Sequence, residues 1–152
     1  TPIITDTNMA LAGITKPGLA KLSGSALCYM ADPEVARIAK ETGTTRAVAS
    51  MHRAAAEHPD AILAVGNAPT ALLTIADEIE AGLRPALVIG VPVGFVNVIE
   101  SKERLFSVCE AHSVPCIAAM GRKGGSTIAA AICNALVYSA AEMLDPTARG
   151  WK

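Results

Sequence analysis

Short runs of consecutive apolar residues recur along the chain at Ile3–Thr5, Ala26–Met30, Ala61–Val65, Ala86–Ile89 and Pro115–Ala119. Runs of this length read as strands, and hydrophobicity that is continuous rather than alternating implies burial on both faces, as in a parallel sheet covered by helices. The stretches between them carry helix punctuation. Asp32-Pro33-Glu34 supplies a cap, a proline at the first helical position and an acid in the first turn, which predicts a helix from Pro33 to Glu41, stopped by Gly43. Thr44 or Thr45 caps a second helix reaching Glu57, before His58-Pro59-Asp60. Further helices are expected over Pro69–Ala81, Ser101–His112 and Ser126–Leu144, with a loose tail at Asp145–Lys152. The alternation predicts an α/β fold: a mostly parallel five-stranded sheet with right-handed crossovers and helices on both faces, a three-layer α/β/α arrangement forming one domain over residues 1–144.

Composition removes several classes of function. A formal net charge of −1, no Lys/Arg run beyond Arg122-Lys123 and only 3% aromatic residues leave neither the basic footprint nor the stacking platform of a nucleic-acid binder. The longest apolar run, Ile128–Leu144, is interrupted by Asn134, Tyr138 and Ser139, so no membrane span is expected. Cys28, Cys109, Cys116 and Cys133 lie in apolar stretches without a C-x-x-C pair and read as buried thiols in a reducing cytoplasm. His52, His58 and His112 share no ligand-like spacing, so no metal site is expected. No nucleophile elbow or Cys/His dyad offers a covalent catalyst. The chain opens Thr1-Pro2 and runs straight into an apolar strand, which reads as a chain whose start lies elsewhere.

The unusual residues concentrate in loops that follow the strands: Thr5-Asp6-Thr7, Gly66-Asn67-Ala68-Pro69-Thr70, Gly90-Val91-Pro92-Val93-Gly94-Phe95, Glu100-Ser101-Lys102 and Gly121-Arg122-Lys123-Gly124-Gly125-Ser126. Open α/β sheets bind ligands beyond the carboxyl ends of their strands, where glycine-rich turns and helix N-termini present N–H groups to anions. The Gly66–Thr70 turn offers such groups and the Asn67 amide, or is an ordinary turn with Asn67 capping the next helix. Gly121–Ser126 joins two cations to flexible residues, with Ser126 as a helix cap, and has the chemistry of an anion cradle; it matches neither the Walker nor the dinucleotide pattern, although a nucleotide or phosphate module stays open as an alternative. Lys102 and Arg46 both fall in first helical turns, where a cation is unfavourable. Each therefore calls for a partner, Glu100 or a bound carboxylate in the case of Lys102.

In order, Pro2-Ile3-Ile4-Thr5-Asp6-x-x-Met9-x-x-x-Gly13-Ile14, Thr44-Thr45-Arg46, Ala64-Val65-Gly66-Asn67-Ala68-Pro69-Thr70-Ala71-Leu72, Gly90-x-Pro92-Val93-Gly94-Phe95, Glu100-Ser101-Lys102 and Gly121-Arg122-x-Gly124-Gly125-Ser126 resemble the precorrin-8X methylmutase family of cobalamin biosynthesis. The resemblance implies a flavodoxin-like sheet and an isomerase that moves a methyl group from carbon 11 to carbon 12 of precorrin-8X or cobalt-precorrin-8, giving hydrogenobyrinic or cobyrinic acid. It implies no cofactor, any cobalt belonging to the substrate, and a homodimer. The corrinoid ring is fringed with carboxylates. Residues that the resemblance assigns to its binding are Met9, Ile14, Thr15, Arg46, Asn67, Thr70, Gly94, Phe95, Lys102, Arg122, Gly124, Gly125 and Ser126, with cations clamping the periphery and Met9, Ile14 and Phe95 shaping a slot.

The family's catalytic histidine lies in an N-terminal segment, upstream of the strand with which this chain opens, and none of the three histidines here matches its position. The resemblance therefore implies no catalytic residue within this chain. It leaves open a methylmutase fragment, a chain completed by a separate segment, and a corrinoid-binding relative without the chemistry. A purely structural or interaction module is the remaining class.

Overall fold

The computed structural model describes residues 1–94, 96–119, 121 and 123–143. In chain order it contains β1 (Ile3–Thr5), α1 (Asn8–Gly13), α2 (Lys16–Lys21), β2 (Ala26–Leu27), α3 (Pro33–Thr42), α4 (Arg46–Glu57), β3 (Ile62–Val65), α5 (Pro69–Glu80), β4 (Leu87–Gly90), α6 (Val98–Ala111), β5 (Cys116–Ala118) and α7 (Ser126–Ala140). All strand pairs are parallel and the order is β2-β1-β3-β4-β5. That order is the flavodoxin-like one, with its switch point between β1 and β3.

Two apolar layers flank the sheet. Ile4, Leu63, Val65 and Val88 face Met51 of α4, Leu72, Ile75 and Ile79 of α5, and Leu105 of α6. On the opposite face Ile3, Ala64 and Ile89 meet Ala129, Cys133 and Val137 of α7. Alternate residues of each strand thus enter different cores, and this is why the strands read as continuous apolar runs. The outermost helix, α3, seats Val35 and Ala39 against Ala49 of α4.

Several sequence boundaries shift. β2 ends at Leu27 instead of Met30, because β1, its partner among the described residues, pairs just Ile3 with Ala26 and Ile4 with Leu27. Between β1 and β2 the chain forms two six-residue helices, capped by the Thr7 and Thr15 hydroxyls. α6 begins at Val98, after Asn97 in a left-handed conformation, so Lys102 stands one turn inside the helix. α7 stops at Ala140, short of Leu144: Glu142 adopts φ 59° and the Met143 N–H bonds back to the Tyr138 carbonyl, a helix-ending pattern. The caps of α3 and α4 are Asp32 and Thr45, as expected. Of the four free cysteines, Cys109 and Cys133 are buried, whereas Cys28 and Cys116 are only half-buried. Phe95, Arg122 and the tail Asp145–Lys152 lie outside the described residues.

Candidate functional site

The carboxyl ends of β1, β3, β4 and β5 carry the polar loops, and those loops are fastened to one another chiefly by buried side chains that bond backbone groups. Asp6, directly after β1, is 1% exposed. Its Oδ1 accepts the Gly66 N–H at 2.8 Å, and its Oδ2 accepts the Asn67 and Ala68 N–H groups at 2.9 and 2.8 Å. Burial lifts this carboxyl above its ordinary pKa, and the N–H groups of the turn pull partly in the other direction. Of the two readings left open for this turn, an outside anion at its N–H groups is displaced by one that is built in: those groups are already taken by Asp6. Asn67 does not cap α5, whose cap is Ala68 without a side-chain bond. The Asn67 side chain is exposed at the rim, beside the half-buried Thr70.

The start of α7 closes on the same point. A side chain at Gly66 would press within 2.6 Å of the Ser126 Cα, and one at Gly124 would overlap the Val91 carbonyl oxygen. These close approaches explain two of the glycines in the loops. Gly125 donates its N–H to Val91 at 2.8 Å and is the α7 cap; Ser126, expected to be the cap, is the first helical residue. The Ser126 hydroxyl lies 2.8 Å from that of Thr7, which also accepts the Ala10 N–H.

Lys102 is fully buried. Its Nζ donates to the Gly121 carbonyl at 3.0 Å and to the Lys123 carbonyl at 2.6 Å, and burial holds its pKa below the ordinary value. Among the described residues neither Glu100 nor another carboxylate is its partner, and the expected pairing with Glu100 is corrected: the partners are two carbonyls of the β5–α7 turn. Arg46 is different. It opens α4 at the rim end, since α4 descends to feed β3 through His58, and its exposed guanidinium makes one long bond of 3.5 Å to the Met30 carbonyl.

The remaining residues divide. Met9, in the first turn of α1, is 70% exposed at the rim, and Gly94 is exposed in the β4–α6 loop. Ile14 is 3% exposed and packs in the α7-side core, and it also borders a surface cavity of about 580 Å³ shared with Asn8, Leu11 and Lys16. Thr15 caps α2 and gives its N–H to the Asn134 Oδ1 at 2.7 Å. Asn134 lies eight residues into α7, about 12 Å below the rim, so Thr15 is remote from the loops. His52 pairs with Glu78, His58 ends α4 and His112 ends α6 beside Arg84, all away from the rim. An apolar cavity of about 210 Å³ lies at the other end of the sheet, against Ile3, Leu19 and Val137. It is smaller than ordinary ligand pockets of about 300–1,000 Å³. Asp6 is the residue whose role sequence reasoning missed; the available signal was a polar triplet abutting a buried strand.

Comparison with known proteins gives a consistent result. The family model CbiC, precorrin-8X methylmutase, matches residues 1–139. The cobalt-precorrin-8 methylmutase of Salmonella typhimurium is 49% identical over 138 residues, covering 90% of this chain and 62% of that protein. The cobalt-precorrin-8 methylmutase of Leptospira interrogans is 43% identical, over 90% of this chain and 64% of its own length. A crystal structure of precorrin-8x methyl mutase from Thermus thermophilus superimposes with a TM-score of 0.81 at 40% identity, covering 93% of this chain and 68% of that one. The chain thus spans about three-fifths of the length of the curated relatives it matches.

Proposed function

The chain belongs to the precorrin-8X methylmutase family, and from that premise we propose that it serves the methyl migration from carbon 11 to carbon 12 of precorrin-8X or cobalt-precorrin-8, holding the corrinoid across the rim of its sheet. The observation that carries this reading is the convergence of the loops fastened by Asp6, Ser126 and Lys102 at the carboxyl ends of β1, β3, β4 and β5. Arg46 stands at the same end with most of its donors unspent, suited to a peripheral carboxylate. Rigid loops favour one bound conformer, and in an intramolecular rearrangement orientation is the main service a protein provides, together with a proton delivered to the ring.

A second reading is favoured by the histidines. All three lie away from the rim, so this chain binds the corrinoid and the proton-transfer group comes from elsewhere, or the chain is a binding relative without turnover. A cytoplasmic homodimer completes the proposal. The dimer is supported by apolar side chains left exposed on α7, Ile128 and Leu136 at 41% and 38%, and on edge strand β5, Ile117 at 37%.

A spectroscopic titration of the chain with hydrogenobyrinic acid, followed by turnover of precorrin-8X, tests both readings. Binding with turnover supports the enzyme; binding without turnover supports the second reading. A folded chain that leaves the corrinoid spectrum unchanged refutes both.

A further inference from the structure

Lys102 closes the β5–α7 turn in a particular sense. Both of its bonds go to carbonyl oxygens, those of Gly121 and Lys123, and no carboxylate among the described residues faces it. No peptide bond among the described residues is cis, and in a trans peptide the C=O and the following N–H point in opposite directions. With the Lys123 carbonyl turned inward to Nζ at 2.6 Å, the Gly124 N–H is directed away from α6. That N–H has no hydrogen-bond partner among the described residues, whereas the next one along, on Gly125, is spent on Val91.

We infer that Lys102 is a positioning residue of the corrinoid site: it draws the turn carbonyls inward so that the Gly124 N–H faces outward to receive a peripheral carboxylate of the ligand. The inference rests on the corrinoid reading above. It replaces direct contact between Lys102 and the ligand, which the burial of the side chain forbids. A neutral donor would also close the turn. An ammonium under it additionally draws an anion to the far face, and that anion supplies the countercharge that no described residue provides.

Two measurements test this, with hydrogenobyrinic acid and its fully methyl-esterified form as probes. In the ¹⁵N-labelled parent chain, the Gly124 amide resonance is expected to move on adding the acid and to stay in place on adding the ester. In Lys102→Met, affinity for the acid is expected to fall about tenfold, with affinity for the ester unchanged within about twofold. A merely structural role would lower both together. Acid binding to the parent with a silent Gly124 amide, or a folded Lys102→Met that keeps the parent's preference for acid over ester, overturns the inference and leaves the corrinoid reading intact. A parent chain that binds neither probe overturns both. Should Lys102→Met fail to fold, the Gly124 resonance of the parent decides.

Discussion

The Asp6 carboxylate accepts the Gly66 N–H at 2.8 Å, joining the end of β1 to the end of β3 across sixty residues of sequence. These two strands flank the switch point of the sheet, where the crossovers diverge to opposite faces and a crevice would otherwise open. The bond, with its neighbours to Asn67 and Ala68, makes the first turn of α5 a fixed part of the rim.

Replacing Asp6 by Asn keeps the size but substitutes an NH₂ donor for one of the accepting oxygens, directly against backbone N–H groups. At least one buried donor then loses its partner, and the expected loss of stability is about 1–3 kcal/mol. Urea denaturation of parent and Asp6→Asn measures it. Equal midpoints and slopes would show that the turn holds its shape without the carboxylate.

The pH dependence of the same pair has a definite sign. Burial, the larger influence, raises the Asp6 pKa in the folded chain above its ordinary value of 3.8. The folded state therefore binds the proton more tightly than the unfolded one, and this contribution is fully present below pH 3.8 and lost as pH rises through the folded pKa. The stability advantage of the parent over Asp6→Asn is expected to be largest at the acid end of a denaturation series and to shrink on going toward neutrality. Taking the difference cancels Asp32, Glu34 and Glu57, whose pKa values are lowered and act in the opposite sense. A gap that widens with pH would reverse the assignment.

Gly124 tests the backbone contact between the β4 and β5 loops. A methyl group there overlaps the Val91 carbonyl oxygen, and neither partner is a flexible side chain that could move aside. Gly124→Ala is expected to destabilise by about 1–3 kcal/mol, the usual range for overpacking, with a visible fall in melting temperature. Gly24→Ala, whose added carbon meets Leu19 at 3.4 Å, an ordinary contact, is the comparison and should differ little from the parent in packing cost.

The sheet and its long helices were legible because their signals are local. Apolar runs marked the strands, and the Asp32 and Thr45 caps lie within three residues of the N–H groups they bind. α1 and α2 escaped because six residues hold too little periodicity to register, and their packing comes from α7, where Ala130 and Val137 abut Gly13 and Gly18. The clustering of polar loops after strands pointed to the rim, but the roles of Asp6 and Lys102 were hidden. Each bonds backbone groups supplied by distant loops, Asp6 sixty residues from Gly66 and Lys102 nineteen from Gly121, and no residue type advertises a backbone partner so far along the chain. Ile14 and Thr15, which the resemblance assigns to the ligand, also serve the fold itself, one filling the core and the other capping a short helix.

If the exposed apolar side chains of α7 and β5 pair two copies, charges placed on them should separate the copies. Leu136→Lys and Ile117→Lys put ammonium groups on positions already 38% and 37% exposed, so the fold itself tolerates them. Sedimentation of the parent as a dimer and of the double variant as a monomer, with equal helix content, is the expected outcome. A parent that sediments as a monomer at micromolar concentration would remove the dimer from the proposal.

Arg46 offers the cleanest separation of binding from stability. Its guanidinium is exposed and its one bond among the described residues, to Met30 at 3.5 Å, is at the limit of hydrogen-bond length, so truncation removes little that holds the fold together. A corrinoid carboxylate meeting this fork would gain charge-assisted bonds, typically worth about 1.5–3 kcal/mol when a charged partner is involved. Arg46→Ala is accordingly expected to weaken hydrogenobyrinic acid binding by about ten- to a hundredfold, the equivalent of that energy, while the melting temperature stays where it is. Absorbance titration and thermal denaturation of the same two samples give both numbers. An unchanged dissociation constant would take Arg46 out of the site and move the peripheral clamp to the other rim loops.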